Sequence, residues 1–291
     1  MAIYRLKLFT SESGHEKKDR NYCIDNNIMA IGWPINGVAD INTYRKQAKN
    51  HKDYSNNENL CGGLKVSLNA IEKNIKKGDL VWTQIDGLDY RLGQVVGDCE
   101  VIDDIGPSRK CVWKEIKFDY IPGDIISRFV GRGYVLCKVH CSEELEEYCR
   151  QLYENKENDI HINSIKNLLH YDDLEDLAGL YLQEEKKYYI IPSTNKQGTK
   201  LIEYEMRDKY GNKACIQCKI GNSNVEVDKI CNKFADYKIF ICVLDERQKN
   251  NYTDKKRNIE EITFDKLFKW ARKHKKILPQ RIQNYLSLLS D

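Results

Sequence analysis

No stretch of this 291-residue chain approaches the roughly 20 consecutive apolar residues that a membrane-spanning helix needs. The opening segment, MAIYRLKLFTSESGHEKKDR, lacks the apolar run of a secretory signal, so the expected compartment is the cytoplasm. There is no GxxxxGK[ST] phosphate loop, GxGxxG fingerprint, HExxH or GxSxG, which removes support for an NTPase, a nicotinamide enzyme, a zincin or a serine hydrolase and argues against a nucleotide cofactor. Repeats and low-complexity tracts are absent too. The eleven cysteines are dispersed and odd in number, a poor disulfide framework, and without an export signal they read as reduced thiols. Cys215 and Cys218 form a CxxC, but on a strand residues three apart face opposite ways. Cys137, His140, Cys141 and Cys149 have ligand types without zinc-ribbon spacing.

What is present is a well-solvated globular composition, 41% hydrophobic and 31% charged, at a length that suits two domains. The net charge of +3 is uneven, because Arg247 to Lys276 holds eleven Lys/Arg against four Asp/Glu. Such a strip fits a phosphate backbone or simply a solvated helix face.

From Ile3 to about Val139 the chain reads as β-rich with inserted helices. Strand candidates are IYRLKLF, NIMAIGW, DLVWTQI, YRLGQVVGD and RKCVWKEI, with GLD joining the third and fourth into a hairpin. Leu64, Leu68, Ile71 and Ile75 have helical spacing, and Gly78 ends that helix. Residues 142–170 read as helical and polar in the middle, the place for a linker. Beyond them come a helix (DDLEDLAGLYLQ), strands KYYIIPS, TKLIEYEMRD and KACIQCKIG, a helix near VEVDKICNKF, the strand YKIFICVL and two final helices. This order predicts a mixed sheet flanked by helices.

Gln217 and Lys219, two apart on KACIQCKIG, project from one face, and the Tyr210-Gly211-Asn212 turn folds Glu203 back beside Gln217. Glu175 on the preceding helix offers a second carboxylate, and Gly179 one turn on allows that helix a close approach. Hard oxygen donors from Glu203 and Gln217 suit a divalent ion such as magnesium or manganese, and Lys219 could orient water or stabilise phosphorane-like charge. The plain alternative is a half-polar strand whose Glu203 and Glu205 decorate a solvent face. Glu205 also shares the face of Glu203 and could be the ligand instead.

Glu175, Glu203 and Gln217-Cys218-Lys219 together resemble the PD-(D/E)XK nuclease superfamily, in its QxK branch found among Mrr-like restriction endonucleases, over roughly Asp172 to Leu244. The resemblance implies a magnesium-dependent DNA endonuclease, with Glu203 at the family's central Asp, Gln217 at its second acid, Lys219 at its lysine and Glu175 at its helix acid. The chain lacks the Pro-Asp pair, and Glu stands for Asp. AIGWP, KKGDLVW, YRLGQVVGD and RKCVW resemble, more loosely, the PUA-like modified-base readers, including EVE and YTH-type domains. That resemblance implies a barrel-type domain with an aromatic pocket for a flipped base. Trp33, Trp82 and Trp113 are candidate walls, with Tyr90 and Arg91 nearby, although a tryptophan on a strand is commonly core.

The expected organisation is therefore α+β or α/β: a PUA/EVE-like β-barrel-type domain over 1–145, a helical linker over 146–171, and a PD-(D/E)XK-like mixed sheet flanked by helices over 172–291. The expected function is a type IV-like restriction endonuclease that reads a modified base, presumed a modified cytosine, in double-stranded DNA and acts as a homodimer. Arg128 and Arg132 in SRFVGRGY, and Arg272 and Lys273 near the end, are the expected backbone contacts. The rivals are a non-catalytic reader of modified nucleic acid and a ribonuclease using the same site.

Overall fold

The structure, a computed structural model, describes residues 1–8, 16–56, 59–130, 133–155, 164–194, 201–221, 225–244 and 252–289. The chain divides into two compact units, Met1–Ile162 and Asn163–Leu289, each built of helices and a mixed sheet. None of the described helices is long and apolar enough to cross a membrane.

The first unit runs β1 (Ile3–Leu6), α1 (Glu16–Asp25), β2 (Ile28–Ala30), α2 (Ile41–Asn50), β3 (Ser55–Asn56), β4 (Asn59–Leu60), α3 (Gly62–Asn69), β5 (Leu80–Asp86), β6 (Asp89–Ile102), β7 (Gly106–Ile116), α4 (Gly123–Ser127), β8 (Leu136–Val139) and α5 (Glu143–Tyr153). Its main sheet has the order β2-β7-β6-β5-β1-β8, antiparallel except where β1 lies parallel to β5. The GLD connection makes the expected β5–β6 hairpin, pairing Trp82 with Leu92. Leu80, Val81, Trp82 and Thr83 are all buried, so β5 is covered on both faces. One face carries a core of Leu6, Met29, Tyr44, Leu64, Leu68, Val81 and Val95.

Three expectations change here. The sheet does not close: β2 and β8 are edge strands of three and four residues, and no pairing among the described residues joins them. Helix α3 passes at Ala70–Asn74 into a π-helical turn and ends before Gly78, and the guanidinium of the buried Arg109 takes up the carbonyls of Ile71 and Glu72, along with that of Gly97 at 3.0 Å. The helical linker expected over 146–171 is helical through Tyr153, and that helix belongs to the packed first unit. Ser142 caps α5, and Leu145, Tyr148, Cys149 and Leu152 are buried along one face.

The second unit runs α6 (Tyr171–Glu185), β9 (Tyr189–Ile190), β10 (Tyr204–Arg207), β11 (Lys213–Ile220), α7 (Val227–Lys233), β12 (Lys238–Leu244), β13 (Ile259–Glu261), α8 (Phe264–Lys273) and α9 (Gln280–Ser287). Sheet order is β13-β12-β11-β10-β9, with β11, β12 and β13 parallel and the remaining pairs antiparallel. The mixed sheet flanked by helices is as the residue pattern implies. Strand β13 is additional, and the strands read in KYYIIPS and TKLIEYEMRD shrink to two and four residues.

Candidate functional site

Helix α6 starts at a reciprocal cap: the His170 side chain accepts from the first-turn backbone, and the Asp173 carboxylate accepts the His170 N–H at 2.8 Å. This fixes the register that places Glu175 in the second turn of the helix. Gly179, one turn further on, lies against β10, where a Cβ would overlap the Tyr204 hydroxyl and approach Ile190 to 3.2 Å. The absent side chain lets Tyr204 donate to the Glu175 carbonyl at 2.8 Å. Helix and strand are thereby locked together at the level of the candidate acid.

The β10–β11 hairpin brings in the other groups. Asp208 accepts from the backbone N–H groups of Tyr210 and Asn212 at 2.8 and 2.9 Å, and Gly211 takes φ +86°, which completes the turn. Tyr204 then pairs with Ile216, and the Glu203 N–H donates to the Ile216 carbonyl at 2.8 Å, setting Glu203 opposite Gln217. One oxygen of Glu203, Oε1, accepts from the Gln217 amide and from the Cys218 N–H at 3.2 Å, and Lys219 Nζ lies 3.9 Å from it. Gln217 is only 3% exposed, whereas Lys219 keeps 30% of its side chain in solvent.

Glu175 completes the group by hydrogen bonding to Glu203. Burial and the neighbouring Glu203 charge push its carboxyl up to about 8. Burial also raises Glu203, against the opposing pull of the Cys218 N–H and the Lys219 charge. Two carboxylates, an amide and an ammonium thus converge at the C-terminal end of β11. Of these groups Glu175 also lines an open cleft of about 400 Å³, together with Asp176, Gln183, Tyr204 and Ile277. Glu205 stands elsewhere: the Tyr237 hydroxyl donates to it at 2.9 Å, and Arg207 lies 3.7 Å away. The geometry gathers Glu203, not Glu205, with the Gln-Cys-Lys strand. Tyr204 was not anticipated from sequence, although its place beside Glu203 and its alternation to the opposite sheet face were its signal.

The aromatic candidates in the first unit separate into two kinds. Trp82 is fully buried and donates its indole N–H to Cys149 Sγ at 3.4 Å, and Tyr90 is 3% exposed and meets the Phe129 ring edge-on at 5.4 Å. Neither retains a face for a base; both are core, because α5 and the segment holding Phe118 and Phe129 cover that side of the sheet. Trp113 is half-buried, lies over Gly93 and donates to the Ile28 carbonyl at 3.0 Å. Trp33 is half-buried in a strained turn, at φ +57° directly before Pro34. The hydroxyls of Tyr44 and Tyr54 hold that turn by donating to the Trp33 and Pro34 carbonyls at 2.6 and 2.9 Å.

Among the backbone candidates, Arg128 is engaged with Asp124 at 2.9 Å and with the His140 carbonyl at 3.1 Å. Arg132 lies outside the described residues. Arg272 and Lys273 are exposed in the last turn of α8.

Comparison with known proteins adds one finding. The family model described as "Domain of unknown function (DUF8426)" matches residues 7–115, all within the first unit. No curated protein and no solved structure matches the chain.

Proposed function

We propose that the chain is a modification-dependent DNA endonuclease, its second unit hydrolysing phosphodiester bonds and its first reading a modified base. The observation that carries the nuclease half is the convergence on Glu203 of Gln217, the Cys218 N–H, Lys219 and Glu175. The donor set fits a divalent cation: two half-buried carboxylates side by side, each raised by burial, offer a place where a dication replaces a bound proton. Glu203 and Glu175 would hold it, with the Gln217 amide oxygen after rotation of an amide that now turns its nitrogen to Glu203. A bound magnesium ion supplies Lewis-acid polarisation of the phosphate and a more acidic water.

The chain's own groups do the rest. Lys219, part-exposed beside Glu203, meets the developing charge on a phosphate oxygen. The Cys218 N–H and the Tyr204 hydroxyl fix Glu203 and the α6 backbone, so the acids need not reorganise when substrate arrives. For the reading half, the support is Trp33, held at a costly backbone conformation by two tyrosine hydroxyls, a pattern that concentrates at functional turns. Trp113 is the second available ring.

The test is cleavage of one duplex prepared unmodified, with 5-methylcytosine and with 5-hydroxymethylcytosine, in magnesium or EDTA, by wild type and Lys219→Ala. Cutting of a modified duplex alone, dependent on magnesium and on Lys219, is the expected result. Binding without cutting makes the protein a reader only; cutting of all three forms removes the reader; preference for RNA of the same sequence makes it a ribonuclease.

A further inference from the structure

A second feature of the sheet lies away from the carboxylates. Strand register sets Tyr189 of β9 beside Arg207 of β10, Arg207 beside Lys213 of β11, and Lys238 of β12 beside Ala214, the next residue of β11. This row crosses four neighbouring strands at one end of the sheet. Arg207 is four residues beyond Glu203, about 13 Å along β10 at the strand rise, so the row occupies the opposite end from the candidate site.

Cations and aromatic rings lie close together there. Two cations lie over the Tyr237 ring, the Arg207 guanidinium at 5.6 Å and Lys213 Nζ at 5.3 Å from its centre. At the hairpin tip Lys209 Nζ lies 4.8 Å from the ring centre of Tyr210, which is 78% exposed, and Tyr189 is 54% exposed. Acidic partners are present, Asp236 on Lys213 at 2.8 Å and Glu205 on Arg207 at 3.7 Å. Surface ion pairs of this kind are worth little, so a phosphate displaces such a carboxylate at small cost. Asp208 is occupied with the turn's own backbone N–H groups.

We propose that this end of the sheet binds single-stranded nucleic acid, with the backbone tracking Arg207, Lys209 and Lys213 and an unpaired base stacked on Tyr210. Neighbouring cations and exposed rings match a flexible strand, whose bases present free π-faces; in a duplex those faces are already stacked. The site is independent of the modified base and of the metal.

The test is binding of a short fluorescent oligothymidylate to the full chain in EDTA, which involves neither modified cytosine nor cleavage. Tyr210→Ala is expected to weaken binding about tenfold, the loss of one stacked base, while Tyr210→Phe retains it. Lys209→Ala with Lys213→Ala is expected to lower the slope of log affinity against log salt by about 1.4. Lys46→Ala with Lys49→Ala, both exposed on α2 of the first unit, should leave oligothymidylate binding unchanged, and unaltered thermal melting verifies that each variant is folded. Wild-type failure to bind, wild-type affinity in the Tyr210→Ala and Lys209/Lys213 variants, or loss confined to the Lys46 and Lys49 variant each overturns the proposal.

Discussion

Glu175 shows how a single residue couples the site to the fold. Its carboxyl is raised, so the folded chain holds a proton that the unfolded chain releases in the ordinary glutamate range near 4.5. Stability of the metal-free protein is therefore expected to fall as pH rises from about 4.5 to about 8 and to level off above that. Glu175→Gln should flatten this window, as read by melting temperature against pH in EDTA. Magnesium should raise the melting temperature more at the upper end of the window than at the lower, because there it no longer competes with a bound proton. Arg109 is the corresponding structural residue of the first unit. Its guanidinium serves three carbonyls while only 6% exposed, so Arg109→Ala should cost about 3 kcal/mol in denaturant unfolding, with no direct effect on cleavage chemistry.

At the scale of elements, the closeness of α6 to β10 is what holds Glu175 against Glu203. Gly179→Ala inserts a methyl into the Tyr204 hydroxyl and should destabilise the second unit by about 1–3 kcal/mol. The same change should reduce cleavage more than it reduces DNA binding, a comparison that distinguishes a displaced acid from general loosening. The elements best legible in the sequence were those with strong local signals. The spacing in KACIQCKIG, the Gly211 turn and the apolar repeat of DDLEDLAGLYLQ each follow from local pattern, and with them the grouping of Glu175, Glu203, Gln217 and Lys219. Strand β13 escaped because three residues carry too little periodicity, and its pairing with β12 is a tertiary fact. Trp82 was ambiguous for another reason: a buried and a ligand-facing tryptophan look alike until the covering element, here α5, is placed. The carbonyls of the π-helical turn at Ala70–Asn74 likewise find their partner in Arg109, far along the chain.

On the scale of the whole molecule, charge means less than its count implies. Part of the basic character between Arg247 and Lys276 is spent on ion pairs, since Arg257 lies 2.6 Å from Asp228 and Lys266 lies 3.9 Å from Glu260. Among the described residues of that stretch, Lys255, Lys256, Lys269, Arg272, Lys273 and Lys276 are exposed and face solvent. Two units with separate cores also allow the two proposed activities to be removed one at a time. Lys219→Ala should lower cleavage by about 10²–10³-fold while leaving modified-duplex affinity intact. Trp33→Ala should abolish discrimination between modified and unmodified duplexes without touching the carboxylate site.

Binding and cleavage of a 5-hydroxymethylcytosine duplex and its unmodified counterpart, measured in parallel for wild type, Lys219→Ala and Trp33→Ala, tests this division most directly. The account predicts that Lys219→Ala binds selectively without cutting and that Trp33→Ala loses selectivity. Undiminished magnesium-dependent cutting by Lys219→Ala, or full selectivity in Trp33→Ala, would contradict it.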